Sequence, residues 1–307
     1  MIGVLGNISV DVVVELDKPL DTRYGKLEGR RLYFGGGGSA ANVAYWLALL
    51  GERVKIFGCV GNDILGEMVL KSLESVGVDT SCVKVLNTST NVAIILSGAG
   101  SKVMIRVRSA GKECFMSLDN LSDLDILHLG SNTLEYLRKI KQRCPGVKIS
   151  YDPGPDVPTL EDIAGIWAFM PNETEVKRIF GHDYENTLRD LSYETIIVVK
   201  MLDGSINCFI DGKALSIKPL KGINVIDTTG SGDSFDAAFI HAMRSSLNIT
   251  DCLSFSLVIS GINSEHFGTR APTIPWKRVI KILKENGKLS AELEEFIWEK
   301  LMRDMSD

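Results

Sequence analysis

The chain has 307 residues, of which 45% are hydrophobic and 24% are charged, and its formal net charge is −5. This length allows one large α/β domain or two smaller ones, and it is ample for a complete hydrophobic core. The negative charge argues against nucleic acid or an anionic membrane as the main partner. The six cysteines include no C-x-x-C pair and the four histidines form no H-E-x-x-H motif, so we expect no structural zinc site.

The beginning of the chain bears on the cellular setting. The segment MIGVLGNISVDVVVELD has no basic leader, and no apolar run in the sequence approaches the length of a membrane span. We therefore expect a cytoplasmic protein with no membrane partner, whose cysteines stay reduced.

Short apolar runs rich in β-branched residues alternate with amphipathic stretches along most of the chain. The strand-like runs include MIGVLG at the start, VKIFG at 54–58, ILHLG at 126–130, VKISYD at 147–152 and TIIVVK at 195–200. Helix-like stretches lie between them and dominate after residue 232. This alternation predicts an α/β fold with a mostly parallel sheet that helices cover on both faces.

Two regions break the alternation. Residues 12–34 and 82–108 contain successive strand-like runs, such as VAIIL at 92–96 and VMIRV at 103–107, without helices between them. We predict that they form a small second sheet that projects from the main domain as a lid. No repeat or linker divides the rest of the chain, so we treat residues 1–307 as a single domain.

Two glycine clusters resemble nucleotide-binding motifs only weakly. FGGGGSAAN at 34–42 contains a degenerate dinucleotide fingerprint, but it follows a charged segment instead of a buried first strand. GCVGNDILGEM at 58–68 has P-loop glycine spacing, but Glu67 and Met68 stand where a P-loop needs Lys and Ser or Thr. The chain therefore has no Walker A motif.

A third cluster, DTTGSGDSF at 227–235, places a carboxylate beside small residues. Apolar residues at helical spacing follow it, so a helix is expected to begin near Asp233. A tight loop that opens a helix directs backbone N–H groups and the positive end of the helix dipole at one point, which favours an anion. Asp233 could be a general base beside this anion site, or it could simply cap the helix.

Taken together, the motifs resemble those of the ribokinase/PfkB family of carbohydrate and nucleoside kinases. They occur in the family's order along nearly the whole chain: GNISVD ending at Asp11, GGSAAN (37–42), GCVGNDILG (58–66), LESVGVDT (73–80), YDP (151–153), NETE (172–175) and DTTGSGDSFDAAF (227–239). The resemblance implies a three-layer α/β/α sandwich with a small β-sheet lid, and transfer of the γ-phosphoryl group of ATP to a hydroxyl. Asp236 and the loop KMLDGS (200–205) depart from the family pattern.

The resemblance also implies roles for individual residues. It makes Asp233 the catalytic base and the amides of Gly230, Ser231 and Gly232 the anion hole. Acceptor contacts carry over to Asp11, Gly37, Gly38 and Asn42, and nucleotide contacts to Asn172, Lys200, Gly204 and Gly268.

Ions enter through the same resemblance. Glu175 would organise Mg²⁺ through water, while Asp227 and Thr229 match a K⁺ site that many family members use. Taken without the family, Asn172 and Glu175 are typical of a helix cap and a solvated helix residue, and Asp227 is equally typical of an Asx turn.

The acceptor class depends on two arginines. Arg106 and Arg108 alternate along a lid strand and therefore share one face of it. If that face looks into the cleft, Arg108 binds substrate and the acceptor carries phosphate or carboxylate; if it looks outward, both arginines are solvated. We predict phosphorylation of a primary hydroxyl on a ribosyl or hexose sugar, with a nucleoside as the alternative acceptor.

Two other functions compete with a kinase. A nicotinamide-dependent oxidoreductase would need an acidic residue about twenty positions beyond FGGGGSA, after a second strand, and Glu52 comes too early. A non-catalytic sugar- or nucleotide-binding protein of the same fold would have no need of Asp233 beside the GSG loop. We also expect a homodimer through the lid.

Overall fold

The structure is a computed structural model that describes residues 1–18, 26–98, 101–110, 114, 121–144, 146–245 and 247–304. Within these residues a nine-stranded sheet forms the centre of the molecule, with strand order β13-β12-β11-β10-β9-β8-β1-β4-β5. Its strands are β1 (Ile2–Leu5), β4 (Val54–Gly61), β5 (Val83–Leu86), β8 (Ile126–Leu129), β9 (Lys148–Tyr151), β10 (Ala168–Phe169), β11 (Ile196–Lys200), β12 (Ile206–Ile210) and β13 (Lys213–Ile217).

Most of this sheet is parallel, as the alternating pattern predicts. All neighbouring strands from β5 through β1 to β11 run parallel, and only the β11–β12 and β12–β13 pairs are antiparallel. The four residues of β1 and of β8 are fully buried because helices cover both faces of the sheet.

Ten helices lie in the described residues. Those on one face are α1 (Ser39–Leu49), α2 (Ile64–Glu74), α7 (Ser231–Ala242), α8 (Ile249–Ser264), α9 (Trp276–Glu285) and α10 (Ala291–Asp304). Those on the other face are α3 (Leu134–Arg143), α4 (Leu160–Ile163), α5 (Glu173–Phe180) and α6 (Glu185–Leu191). Successive strand residues contribute to opposite core clusters, with Val4 in the first and Leu5 in the second. The result is the predicted three-layer sandwich.

A second sheet of four strands stands beside this sandwich. Its strands are β2 (Ser9–Leu16), β3 (Gly29–Gly37), β6 (Asn91–Gly98) and β7 (Ser101–Val107), in the order β3-β2-β6-β7. The predicted lid segments 12–34 and 82–108 overlap it, but Val83–Leu86 pairs with the large sheet instead. The parts of the predicted lid at 19–25 and 99–100 lie outside the described residues.

The strand register defines the two faces of this small sheet. Asp11 pairs with Ala93, and Ala93 pairs with Arg106, so these three side chains share one face. The opposite face is apolar and partly solvent-exposed, with its rows formed by Phe34, Val12, Ile94 and Ile105, and by Leu32, Val14, Leu96 and Val103.

The prediction that all cysteines stay reduced is wrong for two of them in this structure. Cys59, on β4, forms a disulfide with Cys114, and their Cα atoms are 5.6 Å apart. The two residues are 55 positions apart in the chain, so sequence spacing could not reveal that the fold brings them together. No helix in the described part of the chain is long and apolar enough to cross a membrane.

Candidate active site

Helix α7 begins directly at the glycine-rich loop. Its N-cap is Gly230, whose φ of 77° lies in the left-handed region, and a side chain there would overlap the carbonyl of Thr269. The first amides of a helix have no acceptor within the helix, so the Gly232 N–H is available to an external anion. The Ser231 N–H instead donates to the Thr228 carbonyl at 3.2 Å. The loop and the start of α7 thus have the geometry expected of an anion site, but one of the three predicted amides is already engaged. Binding of an anion here stays a prediction.

Asp233 lies in the first turn of α7 and faces a cavity. Its Oδ2 accepts a 2.7 Å hydrogen bond from Nδ2 of Asn42, on α1. The N-cap residue of α7 is Gly230, and Asp233 lies inside the first turn. The explanation in which Asp233 caps the helix therefore does not match the geometry. Burial raises the pKa of Asp233 to about 7, although the Asn42 hydrogen bond opposes this. A carboxyl group with such a pKa can take up a proton near neutral pH.

Arg270 fixes the orientation of the Asn42 amide. Arg270 Nε donates to Asn42 Oδ1 at 2.8 Å, and because a guanidinium can only donate, the amide nitrogen of Asn42 must point to Asp233. Arg270 is buried, its guanidinium lies 4.9 Å from the ring centre of Tyr45, and a side chain at Gly36 would overlap it. The sequence analysis did not identify this role of Arg270.

The acceptor residues predicted from the sequence meet at the same cavity, whose volume is about 210 Å³. Asp11, Gly38 and Asn42 line it together with Gly230 and Asp233. Gly37 does not line the cavity but packs against Asp11, because a side chain at position 37 would overlap the Asp11 carboxylate. The sequence did not identify six further polar residues in the lining: Asn7, Ser9, Ser39, Asn91, Ser131 and Asn132.

Asp11 is the second carboxyl group of this cavity. It is buried, and its Oδ1 accepts a hydrogen bond from Ser9 Oγ at 3.0 Å. Burial raises the pKa of Asp11 to about 6, while the Ser9 bond and the Arg270 charge oppose the shift. A buried carboxyl with unused lone pairs is well suited to accept hydrogen bonds from a ligand hydroxyl.

Lys200 lies in a buried ionic cluster close to the α7 N-terminus. Its Nζ is 2.9 Å from Asp152 Oδ2 and 2.8 Å from Asp236 Oδ1. Burial alone would lower the pKa of Lys200, but the Asp152 and Asp236 charges raise it above its usual range. For the acid Asp236, burial acts in the opposite direction and raises the pKa strongly. Asp236, which departs from the family pattern, thus forms a cluster with Lys200, whose predicted nucleotide contact stays a prediction.

Asn172 and Glu175 form a reciprocal helix cap. Asn172 Oδ1 accepts from the Glu175 N–H at 2.9 Å, and Glu175 Oε2 accepts from the Asn172 N–H at 2.8 Å. Burial, with the Asp152 charge as the second cause, raises the pKa of Glu175 to about 7. The capping interpretation is thus correct for Asn172. Glu175 is the other member of this capping box and not the solvated helix residue expected without the family. A further role of either residue toward phosphate or Mg²⁺ stays a prediction.

The two glycines predicted to contact the nucleotide lie in different loops. Gly204, with φ 82°, closes a turn in which its N–H donates to the Met201 carbonyl. Gly268 donates its N–H to Asp227 Oδ2 at 3.2 Å, and a side chain there would overlap the ring of Tyr33. Gly268 thus contacts Asp227, a residue of the predicted K⁺ site, and its nucleotide contact stays a prediction.

Asp227 and Thr229 form the Asx turn that was the alternative to a K⁺ site. Asp227 Oδ1 accepts from the Thr229 N–H at 2.9 Å and from Thr229 Oγ1 at 2.6 Å. A cation is nevertheless present: Lys102 of the small sheet places Nζ 2.6 Å from Thr229 Oγ1 and 3.6 Å from Asp227 Oδ1.

Comparison with known proteins agrees with this architecture. The family model described as pfkB family carbohydrate kinase matches residues 1–277. A ribokinase from Lactococcus lactis subsp. lactis is 27% identical over 297 residues, which cover 92% of this chain and 97% of the relative. An ATP-dependent ribose-1-phosphate kinase from Halopiger xanaduensis is 27% identical over 279 residues, which cover 87% of this chain and 93% of the relative.

A solved structure of similar fold extends the comparison to ligands. The structure of Arabidopsis thaliana ribokinase complexed with ribose and ATP matches with a TM-score of 0.77 and 25% identity, covering 92% of this chain and 98% of that one. The fold and the family predicted from the sequence are confirmed. The chain belongs to the pfkB family of carbohydrate kinases.

Proposed function

We propose that the protein transfers the γ-phosphoryl group of ATP to a primary hydroxyl of a small sugar, with Asp233 as the general base. The observation that carries the proposal is the position of Asp233, which faces the cavity in the first turn of α7, directly after the Gly232 N–H at the helix N-terminus. The acceptor oxygen bonds to the γ-phosphorus while the bond from that phosphorus to the leaving ADP oxygen breaks. The hydroxyl proton passes to Asp233, and the α7 amides stabilise the charge on the phosphoryl oxygens.

The chain has no Walker lysine to neutralise the charge of the ATP phosphates, so Mg²⁺ would do so. Lys200 is already held by Asp152 and Asp236. Glu175 fits a water-mediated Mg²⁺ contact, because its pKa is raised by burial and by the nearby Asp152 charge, and a divalent cation would relieve both effects. The backbone N–H of Asn172, which donates to Glu175 Oε2, would hold the Glu175 carboxylate in place.

The size of the acceptor cavity favours a sugar over a nucleoside. Its 210 Å³ is below the roughly 300–1,000 Å³ of sites for drug-sized ligands, so a single sugar ring fits its scale. A nucleoside kinase is the second candidate, because the same hydroxyl chemistry would serve it. A non-catalytic binding protein would not require a cavity-facing carboxyl with a pKa near 7.

An ATP-consumption assay over a panel of sugars and nucleosides tests this proposal. We expect one sugar to stimulate ATP turnover far above background in the presence of Mg²⁺, and turnover to be lost in Asp233→Asn. Stimulation by nucleosides alone would favour the second candidate. Binding of a sugar without ATP turnover would favour a non-catalytic protein.

We propose that Lys102 takes the place of a K⁺ ion at Asp227 and Thr229. The ammonium contacts both residues, and its charge would repel a second cation bound there. Wild-type activity should then be equal in K⁺ and choline buffers, whereas Lys102→Met should become stimulated by K⁺. Strong K⁺ stimulation of the wild type would contradict the substitution of Lys102 for the ion.

The apolar outer face of the small sheet supports the expected homodimer. Leu32 is 67% exposed and Phe34 is 51% exposed, and both stand beside further apolar side chains in the register. Such a face is unfavourable in water unless a partner covers it. We propose that a second copy of this sheet is the partner, which light scattering of the wild type and Phe34→Glu would test. A cytoplasmic location, where ATP is supplied, stays a prediction.

A further inference from the structure

The small sheet directs arginines into the acceptor cavity. Sequence alternation placed Arg106 and Arg108 on one face without saying which way that face looks. In the structure both residues line the cavity that also contains Asp11 and Asp233. The register explains this, since Arg106 lies in the same cross-strand row as Asp11, through Ala93. Both arginines thus lie on the cavity side of the small sheet instead of its outer surface, with Arg106 solvent-exposed and Arg108 half-buried.

Neither arginine has a carboxylate partner within 4.0 Å in the part of the chain that the structure describes. The polar contact of Arg108 is a 2.8 Å hydrogen bond from Nη1 to the side-chain oxygen of Asn132. Burial and the charge of Arg106 both lower the pKa of Arg108. Two like charges that approach each other in a cavity cost free energy, and an anion between them would remove that cost.

The position of Arg108 shows which part of the ligand it would contact. Arg108 also lines a smaller adjoining cavity of about 70 Å³, together with Asn132 and Tyr136. This second cavity contains neither Gly230 nor Asp233. Arg108 thus lies where the larger cavity adjoins a space without Asp233, and we place the end of the ligand opposite the reacting hydroxyl there.

We propose that the acceptor carries an anionic group, phosphate or carboxylate, at the end opposite the hydroxyl that is phosphorylated, and that Arg106 and Arg108 bind this group. The inference rests on the proposed kinase function and refines its substrate class. Guanidinium groups bind both kinds of anion through paired N–H donors, which explains why two arginines occur where a neutral sugar would need only neutral donors and acceptors. The anionic group stays unchanged during the phosphoryl transfer.

Matched pairs of neutral and anionic sugars provide the first test. Ribose is compared with ribose 1-phosphate, fructose with fructose 6-phosphate, and glucose with gluconate, each member retaining a free primary hydroxyl away from the anionic group. We expect kcat/KM for the anionic member of at least one pair to exceed that of its neutral partner by at least tenfold. The phosphate and carboxylate pairs distinguish the two sources of the anion.

Variants provide the second test. Loss of a hydrogen bond to a charged group weakens binding by roughly 10- to 100-fold, so Arg106→Gln and Arg108→Gln should raise KM for the anionic sugar by about that factor, with a smaller effect on kcat. Arg143→Gln, which removes an exposed arginine at the end of α3, is the charge-matched control and should leave KM unchanged. Unchanged melting temperatures would show that the variants are folded.

The outcomes separate this inference from the kinase proposal. If the neutral member of every pair is phosphorylated at least as well, and the two arginine variants affect neutral and anionic sugars alike, the anionic acceptor is excluded while the kinase function stands. If no sugar of either kind stimulates ATP turnover by the folded wild type, the sugar-kinase proposal fails, and this inference fails with it.

Discussion

The Asn42 amide nitrogen lies 2.7 Å from Asp233 Oδ2, which joins two helices that are 191 residues apart in the chain. This bond orients the carboxyl group toward the acceptor cavity and leaves its other oxygen available to a hydroxyl. Arg270 holds the far side of the same amide. The orientation of the Asp233 carboxyl group therefore depends on two successive hydrogen bonds, from Arg270 to Asn42 and from Asn42 to Asp233.

The first prediction concerns Asp233 itself. Asp233→Asn preserves the size of the side chain and an acceptor for Asn42, but it removes the base, so we expect kcat to fall by roughly two to four orders of magnitude. The measurement is steady-state ATP turnover with the acceptor identified in the panel. Near-normal turnover by the variant would show that Asp233 is not the base.

Stability provides a control for that experiment. Because the pKa of Asp233 is raised in the folded state, keeping the carboxylate charged costs stability; the cost grows as the pH rises from about 4 to about 7 and is constant above that. Asp233→Asn should therefore be at least as stable as the wild type at pH 8. A large loss of stability at pH 8 would mean that its low activity reflects unfolding.

The second prediction is a pH dependence with a definite sign. Asp233 accepts a proton only when it is ionised, and its pKa is raised to about 7. We expect kcat/KM to rise with pH through an apparent pKa near 7 and to level off above it. A profile that is flat from pH 5 to 9 would contradict a base with this pKa.

Much of the site could be predicted from the sequence because its residues lie in short contiguous motifs. DTTGSGDSF places the loop, the helix N-terminus and Asp233 within nine residues, and GGSAAN places Gly38 and Asn42 on the next element. Alternation likewise put Arg106 and Arg108 on one face. It could not show which face looks into the cleft, because that depends on how the small sheet docks against the large one.

Interactions between distant parts of the chain were not predictable from these motifs. Arg270 is 228 residues from Asn42, and Lys200 is 36 residues from Asp236, so neither contact has a local pattern. The Cys59–Cys114 disulfide was missed for the same reason. Val83–Leu86 was assigned to the lid because a short strand without a following helix does not reveal its sheet.

The third prediction tests whether Arg270 positions Asn42. Arg270→Met should free the Asn42 amide to rotate, which weakens its bond to Asp233 and removes an effect that lowers the Asp233 pKa. We expect the lower limb of the kcat/KM profile to move to higher pH by about one unit, with kcat reduced by about tenfold. Ser72→Ala, which removes another partner of Arg270, is the control and should not move the profile. A loss of stability with an unmoved profile would indicate a structural role alone.

The fourth prediction concerns the thiols. Alkylation of the unfolded, non-reduced protein should modify four of the six cysteines, because Cys59 and Cys114 are joined, and prior reduction should raise the number to six. Intact-mass spectrometry gives both numbers. Modification of all six without a reductant would show that the disulfide is not formed in the purified protein.

The last prediction is a loss of stability on removal of the buried ammonium. Lys200 is the cation between Asp152 and Asp236, and its side chain is 12% exposed. Lys200→Met leaves two carboxyl groups facing each other without a counter-charge, and breaking such a buried cluster typically costs about 3–5 kcal/mol. Urea unfolding of the variant at pH 7 measures the cost. The Lys200 charge lowers the pKa of Asp152 and so favours its ionised form. Adding Asp152→Asn to Lys200→Met removes that carboxylate, so the double variant should recover part of the lost stability. If the single variant is as stable as the wild type, the ammonium of Lys200 contributes no net stability.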